Sequence, residues 1–149
     1  MIISDPLLFD TNILVYAHNQ DSPFHDKSLS LVNKVITGKL KGVLAQQNLI
    51  EFYSITTDKR RVTKPLTLVK AQQLLEDYLK MPFRIIAPNI ETIKILPVLC
   101  QKNKIKNGEI FDAYLVATML SNQIHSIVTV NVKDFKSYDE IKVWNITDF

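Results

Sequence analysis

The chain has 149 residues, with 18 Lys+Arg against 15 Asp+Glu and a formal net charge of +3. Hydrophobic residues make up 46% and charged residues 22%, which excludes a disordered chain and is enough for one domain, 1–149, to bury a core without staples. The single cysteine, Cys100, excludes an internal disulfide and multi-cysteine zinc or iron–sulfur sites, and points to a reducing, cytoplasmic setting.

In chain order, Leu7–Phe9 forms a short buried strand that stops at Asp10. A helical stretch follows from Asn12 to His18. After the Asp21-Ser22-Pro23 turn comes a helix from His25 to Ile36, with Leu29, Val32, Val35 and Ile36 at helical spacing. Val43–Ala45 is a strand and Gln46 to Thr57 a helix. Beyond the basic connection Asp58 to Pro65 lies a helix from Thr67 to Leu79, with Val69, Leu74, Leu75 and Tyr78 on its apolar side. Phe83–Ala87 is a strand, Ile90 to Asn103 a helix made irregular by Pro97, and Ile110 to Asn122 a strong helix. Strands at Ser126–Val130 and Ile141–Ile146 close the chain. The order β-α-α-β-α-α-β-α-α-β-β specifies an α/β fold, a mainly parallel sheet with helices on both faces. No apolar run is long enough to span a membrane, and the early Asp5 and missing basic start argue against a signal peptide.

Three carboxylates stand where a fold would not choose them. Asp10 follows Leu7-Leu8-Phe9 at the carboxyl end of the first strand, the edge where open α/β sheets bind ligands; a plain helix cap explains it equally well. Asp112 shares a helical stripe with Leu115, Val116 and Met119, so an unpaired charge there is costly. Its bland explanation is a first-turn acid with a wet tip. Glu51 sits inside Leu49-Ile50-Glu51-Phe52-Tyr53. Gathered at one sheet edge, such acids raise one another's pKa unless a cation balances them, and oxygen-only ligands select hard ions, Mg²⁺ or Mn²⁺. Thr129, Asn131 and Asp134 close the last strand and could add oxygen atoms, or form an ordinary turn. His18, His25 and His125 match no catalytic pattern. Only three glycines occur, and no Gly-rich phosphate loop is present.

These segments, in order, are strand-Asp10-Thr11-Asn12, Asn48-Leu49-Ile50-Glu51-Phe52, Phe111 to Met119, and Val128 to Phe135. With them the chain resembles the PIN-domain ribonucleases of the VapC toxin type. The resemblance implies a three-layer, Rossmann-like α/β/α sandwich and a Mg²⁺- or Mn²⁺-dependent endoribonuclease leaving 5′-phosphate and 3′-hydroxyl ends. It assigns metal binding to Asp10, Glu51 and Asp112. Where the family often places a fourth acid, this chain has the neutral Asn131, with Asp134 three residues on. Thr11, Asn12 and Thr129 are auxiliary candidates that would orient water or phosphate. The resemblance also implies an RNA substrate, a small antitoxin partner and a homodimer.

Lys59, Arg60 and Arg61, followed by Lys64, are candidate RNA contacts, as are Lys102, Lys104 and Lys106; solvated loops are the plainer explanation of each run. Phe52, Tyr53 and Tyr78 are either core or the lining of a partner groove. Two alternatives stand beside the nuclease. One is a catalytically weak PIN-like module that only binds RNA or protein. The other is a metal-dependent phosphatase, disfavoured because Asp10-Thr11-Asn12 lacks a second adjacent acid.

Overall fold

In a computed structural model, described for residues 3–149, five short strands form one sheet in the order β3-β2-β1-β4-β5, every neighbouring pair parallel. The strands are β1 (Leu7–Phe9), β2 (Gly42–Ala45), β3 (Arg84–Ile86), β4 (Ser126–Thr129) and β5 (Lys142–Asn145). The helices are α1 (Thr11–Ala17), α2 (His25–Ile36), α3 (Gln46–Thr56), α4 (Leu68–Lys80), α5 (Ile90–Asn103) and α6 (Glu109–Ser121). The central strands β1, β2 and β4 are buried along their whole length, as expected for a parallel sheet covered on both faces.

Side-chain alternation divides the interior into two cores. Leu7, Phe9, Leu44 and Val128 face a layer built from α1, α2, α3 and α4, packing with Leu14, Leu31, Phe52 and Tyr78. Leu8, Val43, Ala45 and Ile127 face the opposite layer, where α5 and α6 supply Leu99, Ala113, Val116 and Met119. Three layers result, as the β-α-α order requires.

The expected elements are all present, with ends displaced by a residue or so. Thr67 lies outside α4 because its side chain caps that helix, accepting from the Lys70 amide. Pro97 does not interrupt α5, which runs unbroken through it; the proline is exposed, so water can satisfy the carbonyl it leaves unbonded. Two short 3₁₀ turns, Val132–Asp134 and Ile146–Asp148, carry no periodic pattern and were not expected. Burial corrects the helix faces. Leu29, Ile36 and Val69 are exposed, whereas Leu31 and Ala71 are core. Phe52 and Tyr78 are fully buried in the core and line no partner groove, whereas Tyr53 is half-buried.

Candidate active site

The strand order leaves β1 toward β2 and β3 on one side and toward β4 and β5 on the other. This reversal opens a crevice at the carboxyl ends of β1 and β4, where open α/β sheets bind ligands. Asp10 follows β1 there and Thr129 ends β4.

Asp10 both caps α1 and faces the crevice. Its Oδ1 accepts from the Thr11 amide (2.8 Å), and its Oδ2 accepts from the Thr129 hydroxyl (2.7 Å) and from Asn12 Nδ2 (3.1 Å). Thr129 Oγ1 in turn accepts from the Asn131 amide at 3.0 Å. Asp10 is thus at once the cap of α1 and a carboxylate at the crevice. Glu51 projects from α3, where the Thr11 hydroxyl donates to Oε2 (2.8 Å) and Gln47 Nε2 to Oε1 (2.8 Å). Thr11 is itself fixed by the buried Asn48, whose Nδ2 donates to Oγ1 at 3.1 Å while its Oδ1 accepts from the Ala45 amide at 2.9 Å. Asp112 stands in the first turn of α6 with no hydrogen-bond partner among the described residues, and Asp134 lies in the turn after β4.

Asp10, Glu51, Asp112, Asp134 and Asn131 line one cavity of about 390 Å³, together with Thr11, Asn12 and Arg61. Four carboxylates therefore face one guanidinium. Burial pushes Asp10 up to about 6, against the pull of the Thr129 and Thr11 hydrogen bonds, with Glu51 and Asp134 adding to the rise. Asp112 also rises to about 6, first through burial and then through the charges of Asp10, Asp134 and Glu51. The acids are close enough to oppose one another's ionisation. As placed, no three His, Cys, Asp or Glu side chains among the described residues converge into a closed metal cage. Glu51 is drawn back by Thr11 and Gln47 instead.

The basic candidates separate. Arg61 lines the acid cavity, whereas Lys59 and Arg60 do not; Arg60 is forked onto Asp58 through Nε and Nη2, both at 3.0 Å. Lys102 is held by Glu140 and Asp139. Gln47, Asn48 and Asn19 belong to the site without having been candidates for it. Asn48 stands in one of the segments that carry the resemblance, and for Gln47 the only sequence signal is its place one helical turn before Glu51; Asn19 has none, because its place depends on the turn after α1.

A parallel sheet with a crevice of carboxylates at its switch point places the chain among the α/β proteins that bind their ligands at the carboxyl edge of the sheet. The family model of the PIN domain matches residues 7–141, and the chain belongs to that family. Ribonuclease VapC24 of Mycobacterium tuberculosis is 26% identical over 139 residues, which is 93% of this chain and 95% of that protein. Among solved structures, VapBC2 from Rickettsia felis, bound to a promoter DNA fragment, superimposes with a TM-score of 0.66 at 20% identity, over 94% of this chain and 98% of that one. VapC20 of Mycobacterium tuberculosis, a sarcin-ricin loop cleaving toxin, does so with a TM-score of 0.59 at 15% identity, over 81% and 86%. The three-layer sandwich expected from the resemblance is the fold these structures share.

Proposed function

We propose that the protein is a Mg²⁺- or Mn²⁺-dependent endoribonuclease, the toxin of a toxin–antitoxin pair, working in the cytoplasm as one nuclease domain. The observation that carries this reading is the crevice itself. Four carboxylates share it with one arginine, and two of them are pushed to about 6 by burial and mutual repulsion. Such a donor set, all hard oxygen, suits a divalent cation held by two carboxylates and water, without a closed cage of three acids among the described residues. Asp10 and Asp112 would hold the ion, with Glu51 and Asp134 acting on its water shell. When bound, the ion supplies a water of lowered pKa and polarises a phosphodiester oxygen.

The chain's own groups do the rest. Thr129 and Asn12 hold Asp10 Oδ2 toward the crevice, and Thr11 with Gln47 fixes Glu51 in one orientation. Glu51, so positioned, can accept the proton of an attacking water. Arg61, at the same cavity, can neutralise the phosphate's developing charge. Lys59 and Arg60 would contact RNA only beyond the crevice. The phosphatase alternative gains no support, because no lysine lines this cavity.

The antitoxin and homodimer rest on likeness to relatives whose names describe VapBC assemblies. The apolar surface left for such partners includes Ile50 and Phe111, both exposed beside the crevice, where Gln47 Nε2 donates to the Phe111 carbonyl at 3.1 Å.

The test pairs cleavage with binding. Wild-type protein with Mn²⁺ should cut RNA internally, and Asp10→Asn should slow this by about a thousandfold, the equivalent of several kcal/mol of lost charge stabilisation. Mn²⁺ should raise the thermal midpoint of the wild type but not of Asp10→Asn. Equal cleavage by both proteins, or no Mn²⁺ shift, would overturn the reading and favour a module that only binds.

A further inference from the structure

A second cavity, of about 270 Å³, adjoins the acid crevice and shares Val15, Asn19 and Val62 with it. The two are therefore consecutive chambers along one surface, with Arg61 beside the acids and Val62 between them. The second chamber has a different chemistry. Val15, Val62 and Leu66 offer apolar faces, and its rim carries Asp21 and Lys64. Their charged ends lie 3.5 Å apart, both largely exposed. Asp21 comes from the turn after α1, and Lys64 from the connection between α3 and α4. An ion pair so exposed contributes little to stability, so it opens at little cost to another partner. His18 closes the inner wall, where its Nε2 meets the Tyr78 hydroxyl at 2.8 Å and burial keeps the ring neutral.

We propose that this chamber is a nucleobase subsite, which seats a guanine flanking the scissile phosphate between Val15, Val62 and Leu66 and reads its edge with Asp21 and Lys64. This rests on the nuclease reading of the neighbouring crevice. Sequence-specific RNA recognition works on unstacked bases, held by flat contacts on the face and hydrogen bonds on the edge. A carboxylate beside an ammonium presents an acceptor pair next to a donor. Among the four bases, only guanine answers with two adjacent donors, N1–H and N2–H, beside the acceptor O6. Adenine, cytosine and uracil each offer the carboxylate a single donor group on that edge. Arg61 lines the acid crevice and the next residue, Val62, lines both chambers, so the phosphate and its base would be held by one short stretch of chain.

The experiment has two arms. In the first, a pool of random-sequence RNA is cut by the protein with Mn²⁺ and the new ends are sequenced. Guanine should be enriched at one fixed position next to the cut, and the guanine-to-other ratio should fall about tenfold in Asp21→Asn, the scale of one good edge contact. Lys64→Met should lower the same ratio. A loss of fold would reduce all cleavage alike and leave the ratio in place. In the second arm, fluorescence anisotropy in EDTA follows binding of short RNAs that differ at one base. Guanine should bind tightest, inosine should lose affinity because it lacks the 2-amino donor, and Asp21→Asn should abolish that difference. No base preference, a preference for another base, or a guanine preference unchanged in both variants overturns the subsite. Absent cleavage with guanine-selective, Asp21-dependent binding overturns the nuclease reading and leaves the subsite standing.

Discussion

Thr11 shows how much depends on one hydroxyl. It donates to Glu51 Oε2 and accepts from the fully buried Asn48. Thr11→Val keeps the shape but strands the Asn48 amide and frees Glu51. It should cost about 1–3 kcal/mol by denaturant unfolding, with a matching loss of RNA cleavage. Retained stability would mean that Asn48 finds another acceptor. A second contrast lies within the basic run. Arg61 lines the acid crevice while Arg60 is paired with Asp58. Arg61→Ala should therefore weaken RNA binding and lower its salt dependence by about one counterion, whereas Arg60→Ala should do so much less; equal effects would show a diffuse basic surface. Asp10 and Asp112 stood out as carboxylates amid apolar neighbours, although a helix cap or a first-turn acid explains them as well, and the structure brings both to one cavity. Gln47 and Asn19 did not stand out, because polar residues at helix starts and turns look like solvent-facing residues anywhere, and Asn48 showed only as part of a motif. Their meaning comes from partners far off in sequence.

Among the elements, β2 is held by a close approach. A Cβ on Gly42 would lie 2.6 Å from Phe83 Cε1 and 2.6 Å from Val35 Cγ2. Gly42→Ala must push apart α2, β2 and the entry to β3, and should cost about 1–3 kcal/mol through overpacking. An unchanged unfolding midpoint would show that Phe83 yields freely. Strand and helix order were readable because β-branched and apolar clusters alternate with helical periods along the chain. Which apolar residues of a helix are buried was less so. Leu29, Ile36 and Val69 fit the period but lie on flanks that no neighbouring element covers, and a period marks a face without saying how wide its cover is. The turn Val132–Asp134 is too short to carry any period, although it sets the position of Asp134.

Across the molecule, a net charge of +3 coexists with a crevice in which acids outnumber bases. Asp10 and Asp112 hold protons more tightly when folded than the ordinary 3.8 of an unfolded aspartate, each near 6. Protonation therefore favours the folded state. The stability these groups add is fully present below about pH 3.8 and is lost as the pH rises through 6. From pH 7.5 to 5 the two aspartates should therefore stabilise the metal-free fold, while His18, held down to about 4 by burial, opposes them because the unfolded ring gains its proton first. Asp10→Asn with Asp112→Asn should remove the aspartates' share, so the melting point of this variant should fall further between pH 7.5 and 5 than that of the wild type. With Mn²⁺ present the aspartates' contribution should reverse, since protons and the cation compete for the same oxygens. An equal change of melting point with pH in both metal-free proteins would contradict this account.

The bond from Thr129 to Asp10 joins residues 119 positions apart, and β4 is the strand that lies between β1 and β5. During synthesis, Asp10 leaves the ribosome long before the strand that orients it exists. A nascent or truncated chain ending before Ser126 has no β4, no Thr129 hydroxyl on Oδ2 and no second wall to the crevice. The setting of Asp10 is therefore completed late, once β4 has paired with β1 and most of the chain has been made.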